Sequence, residues 1–271
     1  MTALERRTVG SLALLYSFRM LGLFMVLPLL ALYAAEMPGA TPAMIGLALG
    51  VYGLTQALLQ IPFGWLSDQV GRKPVIIGGL GLFALGSVVA AYAESVEGVI
   101  FGRSLQGAGA IAGTVMALVA DVTREEQRTK AMAMVGMSIG LSFALALVIG
   151  PLVAAAGGLS AVFWFTAALA VGGVVIVVLL VPTPSVTGLK HADVGTRFGL
   201  LGRSFRDPAL QRLNFGVFTL HFILMACFLL VPTFLEGVAG IDRSRHWLVY
   251  LPALALSIAG MVPLMILAER G

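Results

Sequence analysis

Acid, base and glycine crowd into Gly64-Trp65-Leu66-Ser67-Asp68-Gln69-Val70-Gly71-Arg72-Lys73-Pro74, a hinge between two long apolar runs. A carboxylate four residues before a guanidinium can pair with it across one helical turn, and each can also reach an opposite charge on a neighbouring segment. Positive charge on a short loop between membrane spans accounts for Arg72 and Lys73. It leaves Gly64, Asp68 and Gly71 unexplained. Asp68 is a carboxylate at a helix end, where the positive N-terminus of a neighbouring helix would stabilise it. Asp121, at the end of a later apolar run, is the candidate second carboxylate for Arg72. Arg19 and Arg103 lie inside apolar runs. An arginine in hydrocarbon costs about 2.5 to 3.5 kcal/mol on insertion-based scales, so both should face a polar cavity or the interior of a bundle.

Helical spacing groups these residues into faces. Arg103, Gln106, Ala110, Thr114, Ala117 and Asp121 share one stripe at intervals of three or four, a polar seam along a single helix. Gly102, Gly109 and Gly113 mark a small-residue stripe for close packing. Tyr16 and Arg19 share a face, Tyr52, Gln56 and Gln60 recur every fourth residue, and Asn214, His221, Met225 and Phe228 align. These faces are the candidate lining of a substrate path. His221 sits mid-span and can change charge near neutral pH, as a proton carrier must, or can bridge two helices while neutral; both readings stand. No carboxylate falls in the middle of a span, so a proton-driven cycle needs His221 or an acid outside this sequence. No nucleotide-binding loop, metal cluster or nucleophile constellation is present, which argues against an ATP-driven pump and against an enzyme. No cofactor or metal is expected.

The elements that must position these groups follow from composition. With 59% hydrophobic and 11% charged residues and a mean hydropathy of +1.00, the solvent of this chain is lipid. Backbone groups in hydrocarbon must be satisfied within the segment, so apolar runs of about 20 residues mean helices and the fold class is all-α. Eight spans are predicted, at about 8–33, 43–66, 74–93, 97–120, 131–156, 160–181, 209–232 and 246–268. Thirteen Lys and Arg residues fall on one side of these spans and Arg243 and Arg245 on the other, which places the hinge and both ends of the chain in the cytoplasm. The net charge of +4 is spread over short loops and is no nucleic-acid footprint. Cys227 has no partner for a disulfide, and the first apolar run is too long for a signal peptide.

Residues 183–207 form the one long loop, a cytoplasmic linker that divides the chain into 1–182, with six spans, and 208–271, with two. Phe24 to Pro28 has a counterpart in Phe228 to Pro232, and Pro62 to Asp68 in Pro263 to Glu269. The two offsets are nearly equal, so spans 7 and 8 read as the start of a second copy of the first half. Four further spans are expected beyond residue 271.

The hinge resembles the signature between helices 2 and 3 of the major facilitator superfamily, Gly-x-Leu-x-Asp-x-x-Gly-Arg-Lys, and matches it at every named position. The resemblance implies that fold, here as a first six-helix bundle plus two helices of a second. It also implies a latch, with Asp68 docking on helix 11 and Arg72 pairing near the end of helix 4. Gly102-Arg103-Ser104-Leu105-Gln106-Gly107-Ala108-Gly109-Ala110 resembles the helix 4 motif of proton-coupled members, which implies a coupling role for Arg103; a structural arginine bound to backbone carbonyls is the other reading. Gly150-Pro151 resembles the centre of the antiporter motif, with alanine at 146, 154 and 155 where that motif differs. Phe18 to Pro28 and Tyr52 to Ala57 carry a narrower likeness to bacterial drug:proton antiporters. The family implies a monomer in the bacterial inner membrane that exports small amphipathic compounds against protons. Uptake or exchange of a metabolite, and a non-transporting sensor or scaffold, are the alternatives.

Overall fold

Short polar residues at the ends of the apolar runs start the helices. Thr2 accepts from the Glu5 amide at 3.1 Å while the Glu5 carboxylate takes the Thr2 amide at 2.6 Å, a reciprocal cap that fixes the start of α1, Ala3–Ala34. Thr41 caps α2, Pro42–Val70, and Asp207 caps α7, Pro208–Gly237, each with proline at the first helical position. Ser95 caps α4, Val96–Ala108. The computed structural model describes residues 1–182 and 206–270. The remaining helices are α3, Arg72–Ala91, α5, Ala112–Asp121, α6, Glu125–Leu180, and α8, Trp247–Arg270, with a short 3-10 turn at Arg243–Arg245. The predicted linker lies outside the described residues except for Arg206 and Asp207.

At 56 residues α6 would extend about 84 Å if straight, about twice the thickness of a bilayer. It folds back instead. Gly157 and Gly158 leave helical geometry, and Gly158, at φ 65° and ψ −157°, occupies a region open only to glycine. Val135 near the start of α6 and Ile176 near its end then pack in one apolar cluster with Leu12 and Leu118. The two arms are predicted spans 5 and 6, and with α4 and α5 taken together the helices make six crossings followed by two. α1 runs between the arms of α6, α3 packs on α4 and α6, α2 packs on α4, and α7 touches the first six crossings mainly through α1.

Two expectations are corrected. The predicted gap between spans 2 and 3, residues 67–73, is almost entirely helical: α2 continues through Asp68 to Val70, and α3 begins at Arg72. Polar residues read as a loop because helices in lipid tend to end at charge, but here Asp68 at the end of α2 pairs with Arg72 at the start of α3 across the turn. The whole connection is Gly71, at φ 98° and ψ 153°. Span 4 is not continuous either, since helical geometry fails between Ala108 and Ala112. The polar seam from Arg103 to Asp121 is therefore split between two helices. The small-residue stripe does allow close approach. A Cβ on Gly102 would lie 2.7 Å from the Ala90 amide nitrogen, and one on Gly109 2.3 Å from the Gly79 carbonyl oxygen. A Cβ on Gly113 would meet a side chain instead, 2.9 Å from Gln60 Nε2.

The core is layered. One large apolar cluster, around Met25, Leu30, Val99 and Phe163, fills the end of the bundle remote from the hinge. A second, around Leu12, Ile76, Leu118 and Val177, fills the hinge end. Between them lie Tyr52, Phe83 and Ala170, and there the two arginines are found.

Candidate functional site: a buried arginine ring between two charged ends

Arg19 of α1 and Arg103 of α4 are both fully buried. Arg19 Nη2 donates to the Tyr52 hydroxyl at 2.8 Å and to Gln56 Oε1 at 2.9 Å, with the Gly109 carbonyl at 3.5 Å. Arg103 lies over the face of the Tyr52 ring, its Cζ 4.7 Å from the centroid. Its Nη1 donates to Gln106 Oε1 at 2.8 Å and its Nε to the Ala48 carbonyl at 3.4 Å. Gln106 Nε2 donates to Ser87 Oγ at 2.8 Å, and Ser87 donates to the Phe83 carbonyl at 2.7 Å. The Phe83 ring returns to Arg19, whose Cζ stands 5.7 Å from its centroid. The contacts close into a ring through α1, α2, α3 and α4, and both cations rest on an aromatic face, an arrangement that compensates a desolvated guanidinium in part.

The break in span 4 belongs to this ring. Where the chain leaves the helix at Gly109, φ −73° and ψ 49°, its carbonyl accepts from the Ile111 amide at 2.9 Å and also lies 3.5 Å from Arg19 Nη2. Sequence reasoning placed Arg19, Tyr52 and Gln56 on faces of two helices, and Arg103 with Gln106 on a third; the structure brings all five together. Ser87 and Phe83 were missed, because a serine and a phenylalanine in an apolar run carry no signal until their neighbours are known. Tyr16 is buried one turn from Arg19, in the hinge-end cluster. Gln60 sits one turn beyond Gln56, its Oε1 buried with no partner. Asn214 and His221 are not brought to the ring. Both are exposed on α7, and His221 Nδ1 lies 2.9 Å from the Val217 carbonyl of its own helix. Met225 packs beside Phe228 against the remote cluster.

At the hinge, Arg72 reaches three groups. It contacts the Asp68 carboxylate across the Gly71 turn, its Nη1 donates to Ser67 Oγ at 2.6 Å, and its Nε donates to Asp121 Oδ2 at 3.0 Å. Ser67, another residue missed, is 2% exposed and passes the contact on to the Gly64 carbonyl at 2.7 Å. Lys73 Nζ reaches the Val178 carbonyl at 3.5 Å, near the end of α6. A Cβ on Gly64 would meet nothing within 4 Å. Nearby, Glu5 binds Arg124 at 3.0 Å, which holds the Glu5 carboxyl well below the usual carboxylate range, at about 2.

The remote end carries a second charged cluster that sequence reasoning did not assemble. Arg243, in the turn before α8, donates to Glu36 after α1 at 2.5 Å and to Glu236 at the end of α7 at 2.6 Å, while lying over Tyr33 at 5.2 Å. The Glu36 hydrogen bond, with Glu236 beside it, holds the Arg243 guanidinium above its ordinary range. The available signal was the pair Arg243 and Arg245 on a side otherwise poor in cations. A cavity of about 220 Å³ opens here, lined by Leu29, Tyr33, Pro151, Glu236 and Arg243 among others. Gly150 lies close enough to α1 that a Cβ would stand 3.4 Å from Met25. The break in α6 dihedrals falls at Gly157 and Gly158 and not at Pro151.

Comparisons with known proteins agree on one family. The profile of the Major Facilitator Superfamily matches residues 12–270. The chain is 48% identical over 269 residues to the inner membrane transport protein YajR of Escherichia coli strain K12, covering 99% of the chain and 59% of that protein. It is 29% identical over 257 residues to the multidrug resistance protein MdtH of Aeromonas hydrophila, covering 92% and 62%. A solved structure of a bacterial homologue of the human lysosomal transporter Spinster superposes with a TM-score of 0.81 at 16% identity, covering 100% of the chain and 64% of that structure. The chain thus spans about three fifths of the length of the curated relatives it matches. It belongs to the major facilitator superfamily, a family of multi-pass membrane carriers and not of enzymes.

Proposed function

We propose that the full-length protein is a secondary active transporter of the bacterial inner membrane that exports small amphipathic compounds in exchange for protons. The observation that carries this reading is the pair of fully buried arginines joined through Tyr52 between two apolar layers. Burying one charge at mid-membrane is costly, and burying two without a carboxylate has no purpose in a helix bundle that only has to stand up. A carrier needs such groups where its two bundles meet. The name of the Aeromonas relative supports drug-like cargo.

In the mechanism, two six-helix bundles rock about a site near the bilayer midplane. Arg19, Tyr52, Gln56 and Gln106 belong to the cargo side of that site. Arg103, whose guanidinium faces the same tyrosine, senses the charge that cargo or proton brings. The cluster of Ser67, Asp68, Arg72 and Asp121 is the cytoplasmic latch, and the Arg243 cluster braces the opposite face. Positive charge concentrated beside the hinge supports that orientation.

The test is dye efflux in everted membrane vesicles that contain the full-length protein, with and without an imposed pH gradient. Gradient-dependent movement that Arg103→Gln abolishes is the expected result. Movement indifferent to the gradient removes proton antiport.

A further inference from the structure

The charge balance of the ring points to the kind of cargo. Among the described residues no carboxylate is buried near Arg19 or Arg103; Glu5, the one buried acid, is paired with Arg124 at the hinge end. Every acceptor the two guanidiniums do find is neutral: a phenol, two amides and two backbone carbonyls. Three donor atoms, Arg19 Nε, Arg19 Nη1 and Arg103 Nη2, are buried with no partner. An unpaired buried donor on a charged group is more expensive than a neutral one, and the shortage is one of negative charge.

From this we infer that the ring is an anion-binding site, and that the anionic group of an amphipathic organic molecule, a carboxylate above all, completes it. This inference rests on the transporter reading for its identity as cargo, but the site itself does not. Guanidinium presents two N–H groups along one edge, matched to the two oxygens of a carboxylate. A carboxylate on the Nη1–Nη2 edge of Arg19 would satisfy Nη1 and take over the bond now made to Gln56. The side of approach is also visible. Gln56 is only partly buried, and its neighbours Gly53, Leu54, Ala57 and Leu58 on α2 are exposed. Gln56 is thus the neutral placeholder at the open side of the ring, and the apolar face of α2 beside it suits the hydrophobic body of the same molecule.

The purified full-length protein is titrated with fluorescein, an anionic carboxylate dye, and with ethidium, a cation, by fluorescence anisotropy. Wild-type protein is expected to bind fluorescein, with Arg19→Gln weakening it by about ten-fold or more, a larger loss than it causes for ethidium. Gln56→Ala keeps both arginines, removes the competitor, and is expected to tighten fluorescein about two- to five-fold, an effect of opposite sign that misfolding cannot mimic. Equal affinity for fluorescein in wild-type and Arg19→Gln protein overturns the site. So does an Arg19-dependent thermal shift with chloride but none with fluorescein, which would mean an inorganic ion. In everted vesicles, pH-driven movement of ethidium with none of fluorescein overturns the anionic-cargo assignment while the carrier reading stands. Arg19-dependent fluorescein binding with no movement of either dye supports the anion site and removes the carrier reading instead.

Discussion

The Glu5 carboxylate shows how much one residue can concentrate. It accepts from the Thr2 amide to close the cap of α1 and from Arg124 to tie that cap to the start of α6. Arg124 is the main cause of its low pKa, and the consequence for pH has a definite sign. A carboxyl that ionises near 2 when folded and near 4.5 when free stabilises the fold fully above pH 4.5 and loses that contribution as pH falls toward 2. Glu5→Gln should therefore melt below wild type at pH 7, and the gap between the two melting temperatures should close between pH 4.5 and 2. A gap that stays constant to pH 2 would mean that the pair is not what ties the two helices. At Arg72 the logic is geometric. Its ion pairs with Asp68 and Asp121 are partly open to solvent and individually weak, but Ser67 sits buried beneath them and fixes one guanidinium nitrogen. Ser67→Ala should cost about 0.5 to 1.5 kcal/mol, read as a lower melting temperature with the Arg72–Asp121 contact still present. Of these residues the charged ones were visible in the sequence. Ser67 was not, because burial is a property of the fold.

At the scale of elements, Gly71 and Gly64 make opposite predictions although both are glycines of the same motif. Gly71 occupies a backbone region that side chains rarely enter, and it is the whole turn between α2 and α3. Gly71→Ala should cost about 1 to 3 kcal/mol of stability and splay Arg72 from Asp68. Gly64→Ala meets nothing within 4 Å and should leave stability within about 0.5 kcal/mol of wild type. Thermal melts of the two variants decide the matter; a Gly64→Ala protein as unstable as Gly71→Ala would show that α2 packs differently from the arrangement described. The elements were largely legible because lipid leaves an apolar run of 20 residues no structure but a helix. What failed is instructive. The gap at residues 109–111 reads as ordinary small-residue packing, and only the fold shows the Gly109 carbonyl within 3.5 Å of Arg19, ninety residues earlier. The ring itself was legible as faces and not as a site, since periodicity says which residues of one helix look the same way and nothing about which helix looks back.

For the molecule as a whole, the two charged ends differ in what they join. Among the described residues the ion pairs of the hinge cluster lie within α2, α3 and α5. The Arg243 cluster crosses between the halves of the chain, binding Glu36 after α1 to Glu236 on α7. The apolar contact between the halves lies on the same side. Phe228 meets Phe143 edge-on at 6.0 Å and is buried, whereas residues 208–218 of α7, nearer the hinge end, are exposed. α7 therefore leans on the first six crossings at its far end and parts from them toward the hinge, and Arg243 pins the closed end. Exposed ion pairs are each worth about 0 to 1 kcal/mol, so removing both through Arg243→Gln should shift the balance between closed and open forms of that end by about 1 kcal/mol, roughly five-fold. Spin labels at Ala35→Cys and Val238→Cys, both exposed and flanking the cluster, provide the ruler. In Arg243→Gln protein the long-distance population should grow, and in Arg243→Lys, which keeps a cation but loses the fork, it should grow less. If the two distance distributions coincide with that of the unsubstituted protein, the far end is held by Phe228 and its apolar neighbours alone, and the charges there only decorate a contact made by packing.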